Sequence, residues 1–164
     1  MAAVALPGSE VMVLQYLDAR GPDGHARKYR VMMIDGGLYP LHLAMSLDWK
    51  VHYFTGAMAD HPERQAEEAR FLDHMPEVLG ERAMAALQAI QTTLGLDYAG
   101  VDFALDETDG LLLFEANAVM NIVPPDASAQ WDYRRPAIDR ALAAARAMLA
   151  AGPLRDVPAC SRRR

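Results

Sequence analysis

The stretch from Gly100 to Asn121, GVDFALDETDGLLLFEANAVMN, constrains the fold more than any other part of the chain. Two apolar runs flank the polar loop Glu107-Thr108-Asp109-Gly110, so the stretch reads as a β-hairpin. Three polar residues interrupt those runs: Asp102 in the first, Glu115 and Asn117 in the second. A buried carboxylate without compensation is costly, so each needs a partner. Side chains alternate faces along a strand, which sets Glu115 and Asn117 side by side. With a loop from Glu107 to Gly110, Asp106 pairs with Leu111 and Asp102 falls opposite Glu115. Three oxygen-bearing side chains then converge on one face.

Such a set suits a hard cation, Mg²⁺ or Mn²⁺, which prefers oxygen ligands and commonly shares its shell with phosphates. Two close carboxylates also need a cation to stay ionised. A plainer reading stays open, in which Asp102 and Glu115 are solvated or capping strand-end acids and Asn117 bonds local backbone.

The rest of the chain follows an α+β order: strands, two helices, the hairpin, then a last helix. Val11 to Leu17 has strand composition, and Gly21-Pro22-Asp23-Gly24 is a turn cluster. RKYRVMMI runs into Asp35-Gly36-Gly37 and returns as LYPLHLAMS, an antiparallel pair. Pro40 either starts the returning strand or turns its missing donor to an edge. Lys50 to Phe54 is a further short strand. Pro62 and Glu63 open a helix that runs to about Met75 and that Pro76 ends. Glu81 to Leu94 puts Met84, Leu87, Ile90 and Leu94 on one helical face, with Gly95 as the stop. Pro136 opens the last helix, whose apolar face carries Ile138, Leu142, Ala145 and Leu149 and which ends at Gly152. The organisation expected is a lead at 1–10, a main unit at 11–125, a helical segment at 126–152 and a tail at 153–164.

Composition narrows the function classes. The 164 residues carry 22 acidic against 16 basic side chains, a formal charge of −6, which disfavours nucleic acid as a partner. No stretch approaches the length of a membrane span, and the N-terminus lacks a basic and apolar leader, so a cytoplasmic location is expected. The single cysteine, Cys160, excludes an intramolecular disulfide or a thiolate cluster.

The string LGLDYAGVDFALDETDGLLLFEANAVMN resembles the C-terminal half of an ATP-grasp ligase domain, in the branch of glutathione synthetase and the ribosomal-protein glutamate ligase. RKYRVMMIDGGLYPLHLAMSLDWKVHYFT is similar to bacterial ATP-grasp proteins fused to helical repeats, and together the likeness runs from Leu14 to Asn121. The resemblance implies that Asp102, Glu115 and Asn117 hold Mg²⁺ or Mn²⁺. It implies that Gln15, Tyr16, Leu17 and Asp18 form the hinge reaching the adenine of ATP. Arg30 corresponds to an arginine facing the phosphate and acyl-acceptor side. The activity implied is ATP-dependent ligation of a carboxylate to an amine through an acylphosphate.

The chain departs from that pattern in three places. Met45 stands where the branch often has an arginine, and His52 where it often has an asparagine. Only about ten residues precede the hinge, and both lysines, Lys28 and Lys50, follow it. The lysine-bearing nucleotide lobe is therefore expected to be missing, through truncation or degeneration, leaving the isolated chain inactive. The alternative is a non-catalytic half-domain that associates with a second copy or a separate lobe.

Other residues invite plainer readings. His42 and His52 on neighbouring strands are more often structural or substrate-contacting than a metal pair. Glu63, Glu67 and Glu68, with Arg64 and Arg70, read as a solvated helical face with local ion pairs. Arg134 and Arg135 could meet a carboxylate but read first as surface residues, and the ten methionines read mostly as core filler.

Overall fold

Asp35 and Gly36 both adopt positive φ, 46° and 82°, the backbone that a two-residue type I′ hairpin turn requires. They join β1 (Ala26–Ile34) to β2 (Gly37–Ser46) in an antiparallel pair, as the Asp-Gly signal predicts. The computed structural model describes residue 16, residues 18–48, residue 51 and residues 58–152. The strands expected at 11–17 and 50–54 lie outside the described residues except for Tyr16 and Val51, as does the tail at 153–164.

The described residues form an α+β unit with a four-stranded antiparallel sheet in the order β2-β1-β3-β4. Here β3 is Tyr98–Leu105 and β4 is Leu111–Asn117. Three helices complete it: α1 (Pro62–Asp73), α2 (Met75–Leu94) and α3 (Arg135–Ala151). The first helix ends sooner than expected. Its carbonyl ladder closes at His74, whose N–H donates to the Arg70 carbonyl, and Pro76 sits in the first turn of α2 instead of stopping α1. Gly80, at φ 75°, breaks α2 just before Glu81, so the longer part begins where the periodicity places it.

Alternation along the strands sorts the sheet into two faces. Tyr29, Val31, Met33, Leu43, Val101 and Phe103 pack with Phe71 and Leu72 of α1 and with Leu79, Ala83 and Leu87 of α2. On the other face Met32, Ile34 and Leu41 meet Ile138 and Ala141 of α3. Leu149 is exposed, so the apolar face of α3 stops short of it. Among the described residues six methionines, Met32, Met33 and Met45 included, are buried.

Two bulges shape the sheet. In β2 the register shifts so that Arg30 pairs with His42 and Val31 with Pro40, leaving Leu41 as the extra residue. Pro40 thereby sits at a bulge on an outer strand, where its missing N–H is tolerated. Between β3 and β4, Leu105 pairs with Leu111, not Asp106, because Asp106 belongs to the loop and accepts hydrogen bonds from Thr108 and Gly110. A bulge that skips Phe114 then restores the expected pairing of Asp102 with Glu115.

Gly100 lies two residues before Asp102 and pairs with Asn117. A Cβ there would stand 2.8 Å from Met120 Cβ and 2.9 Å from its Cγ, and would also meet its sulfur. Gly100→Ala should therefore lower stability by about 1–3 kcal/mol through overpacking, read as an earlier urea midpoint. An unchanged midpoint would show that Met120 yields freely.

Candidate functional site

The α3 face of the sheet is only partly covered by α3, and its remaining part gathers charge. Lys28 and Arg30 lie two apart on β1, and Arg30 is the cross-strand partner of Asp102 on β3. Arg30 clamps that carboxylate with Nε donating to Oδ1 at 2.6 Å and Nη2 to Oδ2 at 2.8 Å. Lys28 Nζ donates to Oδ2 at 2.9 Å. The Asp102 side chain is 3% exposed. Burial opposes its ionisation, yet the hydrogen bonds from Arg30 and Lys28 outweigh that cost and hold the carboxyl below its usual value. Asp102 also raises the Arg30 guanidinium further above its ordinary range.

Glu115 is opposite Asp102 in register, and Asn117 is two residues on, so the structure brings these three onto one face. Glu115 is exposed. Asn117 Nδ2 donates to Glu115 Oε1 at 3.0 Å, while its Oδ1 accepts the Val119 N–H at 2.9 Å. The local backbone bond of the plainer reading is thus present.

Asp102 does not depend on a metal for compensation, because Lys28 and Arg30 already supply it, and Glu115 faces solvent. The signal was the pair of basic residues two apart on β1, Lys28 and Arg30, which alternation turns to the Asp102 face. No group of three or more His, Cys, Asp or Glu among the described residues is placed to hold a metal. Oxygen lone pairs nevertheless remain on this face. A carboxylate offers about four lone-pair positions, and in Asp102 three of them accept bonds from Lys28 and Arg30. Glu115 and Asn117 keep acceptor capacity as well.

Beside this cluster lies a cavity of about 530 Å³, floored by Lys28, Arg30 and His42 and walled by the segment after β4. Tyr98 fixes that segment through its O–H, which donates to the Met120 carbonyl at 2.6 Å. The far wall is held by a buried group that the sequence reading placed on the surface. Glu68 of α1 is 0% exposed, not solvated. It accepts the Tyr133 O–H at 2.6 Å and the Leu43 N–H at 3.3 Å, and Arg134 Nε lies 3.3 Å away. Arg134 is likewise buried, with its guanidinium 6.0 Å from the Trp131 ring. Burial pushes Glu68 up, against the pull of Arg134, Tyr133 and Leu43. Glu67 pairs with Arg27 across to β1 instead of within its helix. Arg135 does keep a surface pair, with Asp132.

His42 is buried on the cavity floor. Burial, helped by Arg30, Arg134 and Lys28 and opposed by Asp102, holds it well below its ordinary value of 6.5. The unfolded chain therefore binds a proton that the folded chain refuses, and stability falls as pH drops below 6.5. The slope from this one group approaches about 1.4 kcal/mol per pH unit. Glu68 acts with opposite sign above its ordinary 4.5, since its raised value makes the folded chain the better proton binder. His42→Gln isolates the histidine: between pH 6.5 and 5 the wild type should lose stability relative to the variant. Parallel profiles would contradict a neutral folded-state imidazole.

Of the other expected site residues, Gln15, Leu17 and His52 lie outside the described residues. Asp18 is exposed and held by Arg20 at 2.6 Å, with the Tyr16 hydroxyl at 3.4 Å. Met45 is core, packed against the helices on the opposite face. No helix among the described residues is long and apolar enough to cross a membrane. No protein-family model and no curated protein matches the chain.

Proposed function

We propose that the face carrying Lys28, Arg30, Asp102, Glu115 and Asn117 is the metal-bearing half of an ATP-grasp ligase site, which binds Mg²⁺ together with the phosphates of ATP. The reaction class is ATP-dependent ligation of a carboxylate to an amine. One observation carries the reading: two cations and two carboxylates with an amide oxygen lie on one partly open sheet face next to a cavity. Lys28 and Arg30 balance Asp102 and Glu115, so a divalent cation alone would leave the cluster positive. A polyphosphate would restore neutrality, which couples metal and nucleotide binding.

Each side chain has a part in this reading. Glu115 and Asn117 reach the metal. Asp102 keeps Arg30 and Lys28 in place, and the N–H groups that they do not give to Asp102 face phosphate or acyl oxygens. Bound Mg²⁺ supplies neutralisation of charge on the transferring phosphoryl group. Tyr16 and Asp18, with Gln15 and Leu17, belong to the adenine side.

Mn²⁺ should therefore bind weakly alone and more tightly with ATP, seen as loss of the free-ion signal in electron paramagnetic resonance. Glu115→Gln should weaken that coupling more than Asn117→Ala, because it removes a charge. Equal Mn²⁺ binding with and without ATP would overturn the reading.

A second reading, a non-catalytic half-domain that works by association, draws on apolar surface. Leu113 and Phe114 on the outer strand β4 are 46% and 50% exposed, and Val119 is 79% exposed. Concentration-dependent sedimentation, with no nucleotide binding at any concentration, would favour it.

A further inference from the structure

The cavity has two chemically different walls. Its sheet floor presents Lys28 and Arg30, whose side chains are 17% and 26% exposed. A guanidinium carries five N–H donors, an ammonium three, and neither accepts. Asp102 takes two from Arg30 and one from Lys28, so the floor offers further donors to an acceptor-rich group. Its opposite wall is built from Val123, Pro124, Pro125 and Trp131. Proline has no N–H to give, and its fixed φ stiffens that wall.

The remaining polar groups do not alter this division. The charge of Arg134 is balanced by the buried Glu68, its Nη2 donates to the Leu41 carbonyl and its guanidinium lies toward Trp131, while Asn121, exposed at the rim, brings an amide without charge. Burial disfavours the charged form of His42. Asp126, exposed at the rim, accepts the Ser128 N–H and repels a second negative charge. About 530 Å³ lies within the usual range for small-molecule sites.

We propose that this cavity binds a small carboxylic acid whose carboxylate meets Lys28 and Arg30 and whose body is apolar, and that it disfavours diacids. As the acid-binding part of a ligase its role rests on the function proposed above, but the binding itself needs neither metal nor nucleotide. The selectivity comes from the wall of Val123, Pro124, Pro125 and Trp131, which cannot solvate a second charge.

The test uses the full chain carrying Trp49→Phe, so that Trp131 is the one remaining of two indoles. 3-Phenylpropionate, 3-phenylpropanamide and glutarate are titrated at pH 7.5 without Mg²⁺ or ATP, and Trp131 fluorescence is read. The acid should change the signal saturably at roughly millimolar concentration or below. The amide should bind at least about tenfold more weakly, the loss expected for one charge-assisted contact, and glutarate by about as much, because its second carboxylate is set against the apolar wall. Val123→Asp, at a site 58% exposed and so tolerant of polarity, should weaken the acid at least about tenfold with unchanged thermal melting. Lys28→Gln should weaken the acid and spare the amide. Equal affinity for acid and amide, no saturable change with the acid, or an indifferent Val123→Asp would each overturn the proposal. Such a failure would leave the coupling of Mn²⁺ and ATP untouched. Acid binding without that coupling would remove the ligase role and keep the site.

Discussion

Asp102→Ala is expected to destabilise the chain by about 3 kcal/mol, because it strands Arg30 and Lys28 beside a buried position. That figure is the lower end for a broken buried pair, since both cations retain some contact with water. Asp102→Asn should cost less, as its amide oxygen still accepts one of the three bonds. Urea unfolding at pH 7 reads both. The sign with pH also follows: the Asp102 carboxyl is held below its ordinary 3.8, so its contribution is present above that value and is lost as pH falls through the lower folded-state value. Asp102→Ala should lack this acid-limb loss. A destabilisation under about 1 kcal/mol would show that the clamp is solvated and that Asp102 does not organise the face.

Glu68→Ala should be at least as damaging, by about 3–5 kcal/mol. It leaves Arg134 buried without its carboxylate and takes the acceptor from Tyr133 O–H and Leu43 N–H. Glu68→Gln keeps an acceptor and should lie between. The double change Glu68→Leu with Arg134→Met replaces the pair by apolar volume, and should cost far less than the sum of its single changes. Additive costs in chemical denaturation would show that the two side chains do not act as a pair.

The contrast between these two acids shows what the chain makes legible. Asp102 stands out because it interrupts an apolar strand, and strand alternation carries its face to Glu115, Asn117, Arg30 and Lys28. The pairing with Glu115 came out as expected through two offsetting features, a loop one residue longer and a bulge at Phe114. Neither is encoded by composition alone. Glu68 hid within a charged run, yet it precedes Phe71 and Leu72 by three and four residues and so shares their buried stripe. Helical spacing outweighed local charge, and the partner that makes burial tolerable, Arg134, comes from a distant segment. Local pattern also misassigned Pro76, whose place at a helix start and at a helix end looks alike until the Arg70 carbonyl finds its donor.

Titration calorimetry of ATP in the presence of Mg²⁺, into wild type and Glu115→Gln, tests the proposed site most directly. Glu115 is exposed and makes no ion pair among the described residues, so its amide variant should fold normally while losing the metal-borne share of affinity. Wild type should bind ATP more tightly with Mg²⁺ than without it, and Glu115→Gln should show little difference between the two conditions. The same ATP affinity and the same Mg²⁺ dependence in both proteins would contradict a metal and nucleotide site on this face.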